Sequence, residues 1–258
     1  MNFQCNLFDL SGRVALVTGG SKGLGKAMAR GFAECGADVM IASRHEEELK
    51  SAALEIGEGL PGRVDYMVVD MVDRAQVGAL ASETLRRFGR VDILVNNAGS
   101  NAPQPIDEIT DEAWDRIVEL NLTSCMSLTR ALVPQMKERQ WGRVIHISSV
   151  LGVGSKKARN VYSATKAGLI GMAKASALDL GHFGITVNCI CPGPFLTDLP
   201  MSLLNDAEKK EFSDRTALGR WGQTREIAGP AIFLASEAGS YVTGEALLVD
   251  GGAYARAL

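Results

Sequence analysis

The stretch VALVTGGSKGLG, residues 14–25, decides the fold that this sequence predicts. Its apolar residues 14–17 indicate a buried strand, which runs into a turn containing Gly19, Gly23 and Gly25. Glycines let the backbone approach a pyrophosphate, and the helix that follows offers free N–H groups and the positive end of its dipole. The spacing G-x-x-x-G-x-G differs, however, from the G-x-G-x-x-G fingerprint. Two interpretations stay open: a nucleotide site, or a tight turn that only packs a helix on a strand.

Short apolar runs rich in β-branched residues recur outward from this stretch, with helical segments between them. One such segment, residues 46–56, carries Leu49, Ala52, Ala53 and Ile56 on one face and charges on the other. The runs that we predict as strands are residues 14–17, 39–42, 64–69, 91–95, 144–147, 186–190 and 246–249. This alternation is typical of βαβ units and a parallel sheet. No linker or low-complexity stretch interrupts it, so we expect one domain over residues 1–258.

One irregular region, at about residues 195–222, follows the sixth predicted strand. It contains the charged segment NDAEKKEFSDR, residues 205–215. An insertion after a late strand lies at the carboxyl ends of the strands, where open α/β sheets bind ligands. We interpret the region as a substrate loop that could act as a lid. The alternative is a solvated surface helix without that role.

Composition places the chain among ordinary globular proteins, with 258 residues and a formal net charge of −3. A nucleic-acid-binding protein would usually gather a basic excess on one face, so we expect no nucleic-acid partner. No apolar run approaches the ~18 residues of a membrane span, and the first residues do not resemble an export signal. We therefore expect a cytoplasmic protein with no membrane partner.

Five cysteines, at positions 5, 35, 125, 189 and 191, are scattered through mostly apolar segments. This pattern predicts reduced, buried thiols. Cys189 and Cys191 fall in one strand-like run, and we expect their side chains to point to opposite faces of the sheet. With only three histidines in the chain, we predict no metal site.

The end of the second predicted strand indicates which dinucleotide would bind. An acid there would hydrogen-bond the ribose hydroxyls of NAD, but this chain reads Ala42-Ser43-Arg44 and has no carboxylate at that place. Guanidinium and ammonium groups are natural phosphate partners, so Arg44 and Lys22 could hold the 2′-phosphate of NADP. The sequence therefore favours NADP over NAD. Alternatively, both residues are ordinary surface cations.

Further polar residues stand at or near predicted strand ends. The motif NNAG, residues 96–99, ends one strand; Ser149 follows another; Asn121 lies in a helical stretch. In NVYSATKAG, Tyr162 and Lys166 share one helix face because four residues make about one turn. Each feature alone has a simpler explanation: a chance pair, a capping hydroxyl, or an amide satisfied within its helix.

In this order, TGGSKGLG, NNAG, Asn121, Ser149, Tyr-x-x-x-Lys and NCICPGPFLT resemble the classical short-chain dehydrogenase/reductase family over residues 10–252. The resemblance implies a single-domain α/β fold of Rossmann type: a doubly wound parallel sheet of seven strands with helices on both faces. It also implies a nicotinamide cofactor, a catalytic tetrad of Asn121, Ser149, Tyr162 and Lys166, and frequent assembly into homotetramers. The cofactor contacts that we predict are Gly19, Ser21, Lys22, Gly23, Leu24, Gly25, Ser43, Arg44, Asp70, Met71, Asn97, Ala98, Gly99, Tyr162, Lys166, Pro192, Gly193, Phe195 and Thr197.

The tyrosine–lysine pair has a chemical reason. A phenol ordinarily ionises near pH ~10, and an ammonium about 5 Å away favours the phenolate by roughly 3 kcal/mol. Tyr162 would then exchange a proton with a carbonyl oxygen as hydride moves, while Ser149 hydrogen-bonds the same oxygen. The resemblance implies that Lys166 also holds the nicotinamide ribose and that Asn121 supports a water chain. It gives Asp70 an adenine contact, with an N-cap of the helix containing DRAQVGALASE as the alternative.

The substrate is less sharply indicated. Lys156, Lys157 and Arg159 lie between Ser149 and Tyr162 and suggest an anionic substrate, such as a sugar acid or an acyl chain on a carrier; the alternative is a solvated basic loop. The chain after residue 216 resembles both gluconate-type dehydrogenases and 3-oxoacyl carrier-protein reductases. A second hypothesis is a non-catalytic dinucleotide-binding sensor or scaffold, which an intact tetrad disfavours. A third, a sugar-nucleotide epimerase or dehydratase, would need a longer substrate portion.

Overall fold

A computed structural model describes residues 5–197 and 205–255. Within these residues seven strands form one sheet in the order β3-β2-β1-β4-β5-β6-β7, and every neighbouring pair is parallel. The strands are β1 Val14–Thr18, β2 Asp38–Ser43, β3 Val64–Val68, β4 Ile93–Asn96, β5 Gly142–Ile147, β6 Ile185–Pro192 and β7 Ala246–Val249. The expected seven-stranded parallel sheet is confirmed.

Helices cover both faces of the sheet. They are α1 Gly23–Glu34, α2 Glu46–Gly57, α3 Arg74–Phe88, α4 Asp111–Val118, α5 Ser124–Glu138, α6 Val150–Val153, α7 Asn160–Leu180, α8 Asp206–Arg215 and α9 Ala228–Ala235. On one face, residues of α1, α2 and α9 pack against Ala15 and Val17 of β1. On the other, residues of α3, α5 and α7 pack in the cluster that contains Leu16. The doubly wound arrangement is therefore confirmed.

Because both faces of the sheet are buried, the strands are continuous apolar runs in the sequence and do not alternate between apolar and polar residues. Residues 14–17 expose at most 4% of their surface. A fully buried Val, Leu or Ile side chain contributes roughly 1.5–3 kcal/mol by leaving water. Local signals then set the ends of the helices: Asp73 caps the start of α3, and Gly89, with φ of 76°, ends it in the left-handed conformation.

The cysteine prediction was partly wrong. Cys189 and Cys191 are both buried in the cluster that contains Leu16, whereas Ile190 between them lies on the other face. Side chains alternate along a strand, so residues two apart share a face. Cys35, Cys125, Cys189 and Cys191 are free thiols, and burial raises the pKa of the last three. Among the described residues there is no group of three or more His, Cys, Asp or Glu side chains placed to hold a metal ion.

The strand order places the ligand-binding edge of the sheet. From β1 the chain proceeds outward to β2 and β3 on one side, and from β4 to β7 on the other, so β1 and β4 flank the switch point. The glycine turn, NNAG and Ser149 lie at the carboxyl ends of β1, β4 and β5 respectively, where such sheets bind ligands. In the part of the chain that the structure describes, no helix has the length and apolar character needed to cross a bilayer.

Candidate functional site

The turn between β1 and α1 needs its glycines. Gly19 and Gly23 have φ values of 65° and 57°, a region that other residues rarely adopt. A Cβ on Gly25 would lie 2.2 Å from the Gly19 carbonyl oxygen. The side chain of Lys22, at the N-cap of α1, forms no capping hydrogen bond. The first amides of α1 and its dipole therefore face the turn, an arrangement that suits a phosphate group.

The motif NNAG supports this turn from β4. Asn97 Nδ2 donates hydrogen bonds to the carbonyl oxygens of Thr18 (2.8 Å) and Gly19 (3.2 Å). In return, Thr18 Oγ1 accepts from the backbone amides of Asn97 (3.0 Å) and Ala98 (3.1 Å). The two predicted cofactor segments are thus one hydrogen-bonded unit.

At the end of β2 the structure corrects the expectation that no carboxylate is present. Glu48 lies in the first turn of α2, and its Oε1 accepts from Lys22 Nζ at 3.0 Å. Its Oε2 lies 3.3 Å from Ser21 Oγ, which also contacts Ser43 Oγ at 3.1 Å. The start of the helix after β2 has to lie beside the end of β2, so chain order could have indicated Glu48. Arg44 is exposed and makes no polar side-chain contact with the described residues.

Of the remaining predicted cofactor contacts, Thr197 lies beside the turn. A Cβ on Gly23 would approach Thr197 Cγ2 to 3.4 Å, and Gly193 packs on Asp250. Phe195 is buried, as are Pro192 and Met71. A cleft of about 460 Å³ opens beside the start of α1 and is lined by Lys22, Gly23, Lys26, Ala27, Arg30, Leu196, Thr197 and Thr224. Its cationic lining also suits an anionic ligand.

Asp70 is not the N-cap of α3. That cap is Asp73, whose Oδ1 accepts from the amides of Ala75 and Gln76. The carboxylate of Asp70 accepts from the amide of Val72 at 3.2 Å, within its own turn. Of the two interpretations of Asp70, the capping one was wrong because the helix begins three residues later than it requires.

Asn121 lies in a π-helical turn, Glu119–Thr123, between α4 and α5. Such turns widen the helix and often occur at functional sites. Asn121 is fully buried; its Oδ1 accepts from the Ser100 amide at 2.9 Å. Its Nδ2 donates to the Ser100 carbonyl at 2.9 Å and to Thr165 Oγ1 at 3.2 Å. The side chain therefore joins three segments, and the alternative of an amide satisfied within its helix was wrong.

Tyr162 and Lys166 lie on one face of α7, with Lys166 Nζ 5.6 Å from the centroid of the phenol ring. Lys166 is only 4% exposed, and its ammonium donates to the Ile147 carbonyl at 2.7 Å. A Cβ on Gly99 would lie 3.4 Å from Lys166 Nζ and 3.2 Å from Asn121 Oδ1. The lysine and the asparagine therefore meet beside the same glycine.

The two serines after β5 have different surroundings. Ser148 Oγ donates to the Lys166 carbonyl at 2.7 Å and so ties the strand end to α7. Ser149 Oγ accepts from the Leu151 amide at 3.1 Å and caps α6. Because Ser149 is the acceptor in that contact, its hydroxyl proton remains available as a donor. The capping explanation of Ser149 is thus observed, and it leaves room for a second role.

A buried polar cluster that the sequence did not indicate joins β4, β5 and α5. His146 on β5 is fully buried, and its Nδ1 lies 3.1 Å from Asn96 Nδ2, which also donates to Thr129 Oγ1 at 3.2 Å. Burial, with the charge of Lys166, lowers the pKa of His146 to about 4. The imidazole is therefore neutral at physiological pH. Nothing in the local pattern of VIHISS distinguishes it from an ordinary strand residue.

The basic loop and the charged helix of the predicted insertion contact each other. Lys156 Nζ lies 4.8 Å from the centre of the Phe212 ring on α8, and Phe212 packs on Trp221 with ring centroids 5.2 Å apart. Lys157 is exposed. Part of the insertion, residues 198–204, lies outside the described residues. Lys156 is itself exposed, so the solvated interpretation of the loop stays open beside this ring contact.

The C-terminal turn, at residues 251–254, contacts both the chain just after α8 and the segment after Ser149. The Leu218 amide, just after α8, donates to the Gly251 carbonyl at 3.1 Å. A Cβ on Gly252 would lie 2.7 Å from Ala217 Cβ, and one on Gly154 would lie 2.7 Å from the Tyr254 hydroxyl. The C-terminal turn thus lies between the base of α8 and the segment after Ser149, beside the predicted substrate side of the site.

Comparisons with known proteins agree with this geometry. A family model described as enoyl-(acyl carrier protein) reductase matches residues 19–254. A 3-oxoacyl-(acyl-carrier-protein) reductase of Thermotoga maritima is 38% identical over 243 residues, covering 94% of this chain and 98% of the relative. A gluconate 5-dehydrogenase of Gluconobacter oxydans is 38% identical over 254 residues, covering 96% of each chain.

A solved structure is equally similar. The gluconate 5-dehydrogenase of Burkholderia cenocepacia, in complex with NADP and tartrate, superposes with a TM-score of 0.91 at 37% identity, covering 97% of this chain and 98% of that one. Fold, motif order and relatives agree over nearly the whole sequence. This chain therefore belongs to the short-chain dehydrogenase/reductase family of oxidoreductases.

Proposed function

We propose that the protein is an NADP(H)-preferring oxidoreductase that interconverts a secondary alcohol and a ketone, with Tyr162 as general acid and base. The observation that carries this proposal is the buried Lys166 ammonium 5.6 Å from the Tyr162 ring, with Ser149 at the end of the neighbouring strand. A sensor or scaffold would have no need for a buried ammonium held next to a partly buried phenol.

The nicotinamide ring supplies or accepts the hydride when the cofactor is bound. Tyr162 donates its proton to the carbonyl oxygen during reduction and takes it back during oxidation. The charge of Lys166 favours the phenolate that is left behind. Ser149 donates its free hydroxyl proton to the same oxygen and stabilises its developing charge, a contribution that is typically a factor of about 10²–10³ in rate.

Lys166 and Asn121 also form the inner end of the proposed proton path. Among the described residues, the Lys166 ammonium donates to the Ile147 carbonyl at 2.7 Å, which leaves two N–H groups for further hydrogen bonds. We assign one of them to the nicotinamide ribose and the other to water. Asn121 has its amide held by Ser100 and Thr165, so the π-turn backbone is fixed where such a water chain would begin.

NADP is the proposed cofactor because two cations, Lys22 and Arg44, flank the end of β2, where the chain itself reads Ser43-Arg44 in place of an acid. Arg44 is exposed with its guanidinium unengaged by the described residues, and Lys22 stands at the N-terminus of α1. Both could bracket a 2′-phosphate. The solved relative from Burkholderia cenocepacia contains NADP. The predicted contacts at Asp70, Met71 and the residues after β6 are part of the same proposal.

For the substrate we propose a carbonyl compound that carries an anionic group, either a sugar acid or a 3-oxoacyl chain on a carrier. Lys156, Lys157 and Arg159 lie in the chain between Ser149 and Tyr162, and Lys156 contacts Phe212 of α8. Relatives of both kinds match with the same 38% identity. The tartrate in the Burkholderia cenocepacia structure favours the acid. We further propose a cytoplasmic homotetramer without nucleic-acid or membrane partners.

A single substitution tests the chemistry. Tyr162→Phe should abolish most turnover in a panel of ketones, sugar acids and 3-oxoacyl thioesters, while NADPH binding, followed by fluorescence, stays nearly unchanged. Tyr241→Phe is the matched control because Tyr241 is fully exposed. Undiminished turnover by Tyr162→Phe would overturn the assigned role. Tight NADPH binding by the wild type with no turnover of any compound would favour the non-catalytic sensor.

A further inference from the structure

The carboxylate of Glu48 engages the groups that would receive the 2′-phosphate of NADP. Its Oε1 accepts from Lys22 Nζ at 3.0 Å, and its Oε2 lies 3.3 Å from Ser21 Oγ. Ser43 Oγ lies 3.1 Å from the same Ser21 hydroxyl. One ammonium and one hydroxyl thus contact the Glu48 carboxylate, and the Ser43 hydroxyl is linked to it through Ser21.

The side chains of the Lys22–Glu48 ion pair are partly exposed to solvent, so a bound ligand can replace one of them. The side chains of Lys22 and Glu48 are 58% and 39% exposed. An exposed ion pair of this kind changes an equilibrium constant by a factor of only about two to five. The 2′-phosphate of bound NADP can therefore displace the Glu48 carboxylate from Lys22. The displaced carboxylate, however, stays close to the phosphate and repels it.

We propose that Glu48 is a cofactor-specificity residue that lowers the preference for NADP over NAD. Its carboxylate competes with the 2′-phosphate for Lys22 and Ser21 and repels that phosphate. The same carboxylate can accept a hydrogen bond from the 2′-hydroxyl of NAD. Both effects lower the affinity for NADP relative to the affinity for NAD. The inference rests on the proposed function in that the site binds a nicotinamide dinucleotide, whichever of the two it prefers.

The charge state of Glu48 agrees with this role. The hydrogen bond from Lys22, assisted by its positive charge, keeps the pKa of the Glu48 carboxyl below its usual range. The group is therefore ionised throughout the neutral pH range. Glu47, on the same helical turn, instead pairs with Lys50 at 2.8 Å and does not contact Ser21 or Lys22.

The experiment measures dissociation constants of NADPH and NADH by fluorescence titration of the full chain. Glu48→Gln should raise the preference for NADPH by about two- to fivefold from the lost competition, and further if NADH also loses an acceptor. Glu47→Gln, an equal change of charge one residue away, should leave the ratio unchanged. An unchanged ratio in Glu48→Gln, or weaker NADPH binding, would overturn the inference.

A double-mutant cycle with Lys22→Met distinguishes the direct Glu48–Lys22 contact from the long-range effect of the Glu48 charge. The effect of Glu48→Gln on NADPH should shrink in the Lys22→Met background if the carboxylate acts by engaging Lys22. An undiminished effect there would overturn the competition argument. A wild type that prefers NADH would contradict the proposed NADP preference alone, because the direction of the Glu48→Gln shift would still decide the role of Glu48.

Discussion

A methyl group on Gly25 would lie 2.2 Å from the carbonyl oxygen of Gly19 and 2.5 Å from Asn97 Nδ2. The pattern G-x-x-x-G-x-G left open whether the turn only packs a helix on a strand. These contacts show that the third glycine lets the helix start approach both β1 and the segment after β4. The sequence could indicate the glycine turn, but it could not show that Asn97, 72 positions later, closes it.

Substituting Gly25 should therefore damage both stability and cofactor binding. Gly25→Ala introduces a clash with backbone, and overpacking of this kind costs about 1–3 kcal/mol in the free energy of unfolding. Gly78→Ala is the matched control, since Gly78 lies in α3 with nothing within 4 Å of an added Cβ. That control should stabilise the protein by about 0.5–1 kcal/mol. Denaturant unfolding measures the stability of each variant, and NADPH titration measures its affinity for the cofactor. Equal stability and affinity in the two variants would contradict the packing argument.

The buried His146 predicts a loss of stability in acid. Its pKa falls to about 4 in the folded protein, whereas an unfolded histidine titrates near ~6.5, so the unfolded chain binds more protons between these values. Its contribution is complete above pH ~6.5 and is lost as pH falls toward ~4. Between pH 7.5 and 5 the free energy of unfolding should drop by about 2 kcal/mol from this group.

The check compares His146→Asn with His182→Asn by denaturant unfolding at the two pH values. Asparagine keeps a polar side chain at position 146 but cannot take up the proton, so that variant should show a drop about 2 kcal/mol smaller than wild type. His182 is exposed and serves as the control. A pH dependence unchanged by His146→Asn would show that the buried imidazole does not cause the acid sensitivity.

At the scale of elements, short apolar runs located each strand, but of the seven only the last, Ala246–Val249, had both ends predicted correctly. The fourth strand was predicted at 91–95 and is found at Ile93–Asn96. Asp92, just before it, is fully buried and accepts a hydrogen bond from the amide of Val14, which lies 78 positions earlier. Such long-range partners of a charged residue cannot be read from local pattern. The π-turn Glu119–Thr123 is a similar case, because Asn121 draws its hydrogen bonds from two distant segments.

The contact between the basic loop and α8 gives a prediction at this scale. A cation over an aromatic ring contributes about 0.5–1 kcal/mol at an exposed site, and Trp221 secures α8 further by donating to the Lys209 carbonyl at 2.9 Å. Lys156→Gln should therefore raise the rate of amide hydrogen exchange in α8 about two- to fivefold. Lys157→Gln, the same change at the exposed neighbour, should not. Equal exchange in both variants would show that the ring contact does not hold the helix.

For the whole molecule, the alternation of strands and helices was enough to predict a parallel sheet, because short apolar runs separated by helices have few other ways to bury both faces. The strand order and the pairing of Asn121 with Ser100 depend on contacts that only the folded chain shows. That residues 1–258 form one domain stays a prediction. Two buried clusters that share a single sheet support it.

The proposed homotetramer gives the prediction for the assembled protein. Leu178, near the end of α7, is 85% exposed, and Trp114 on α4 is 39% exposed. Contiguous apolar surface, rather than a single exposed apolar side chain, marks contact surfaces between subunits, and α4 and α7 pack against each other. Leu178→Asp would bring an unpaired charge into such a surface, so the variant should sediment as a smaller species than wild type while keeping its far-ultraviolet circular dichroism.

Leu54→Asp on α2, where Leu54 is 77% exposed, is the control and should leave the mass unchanged. Analytical ultracentrifugation measures the masses; a monomeric wild type would contradict the tetramer, and a Leu178→Asp tetramer would exclude this end of α7 from the interface.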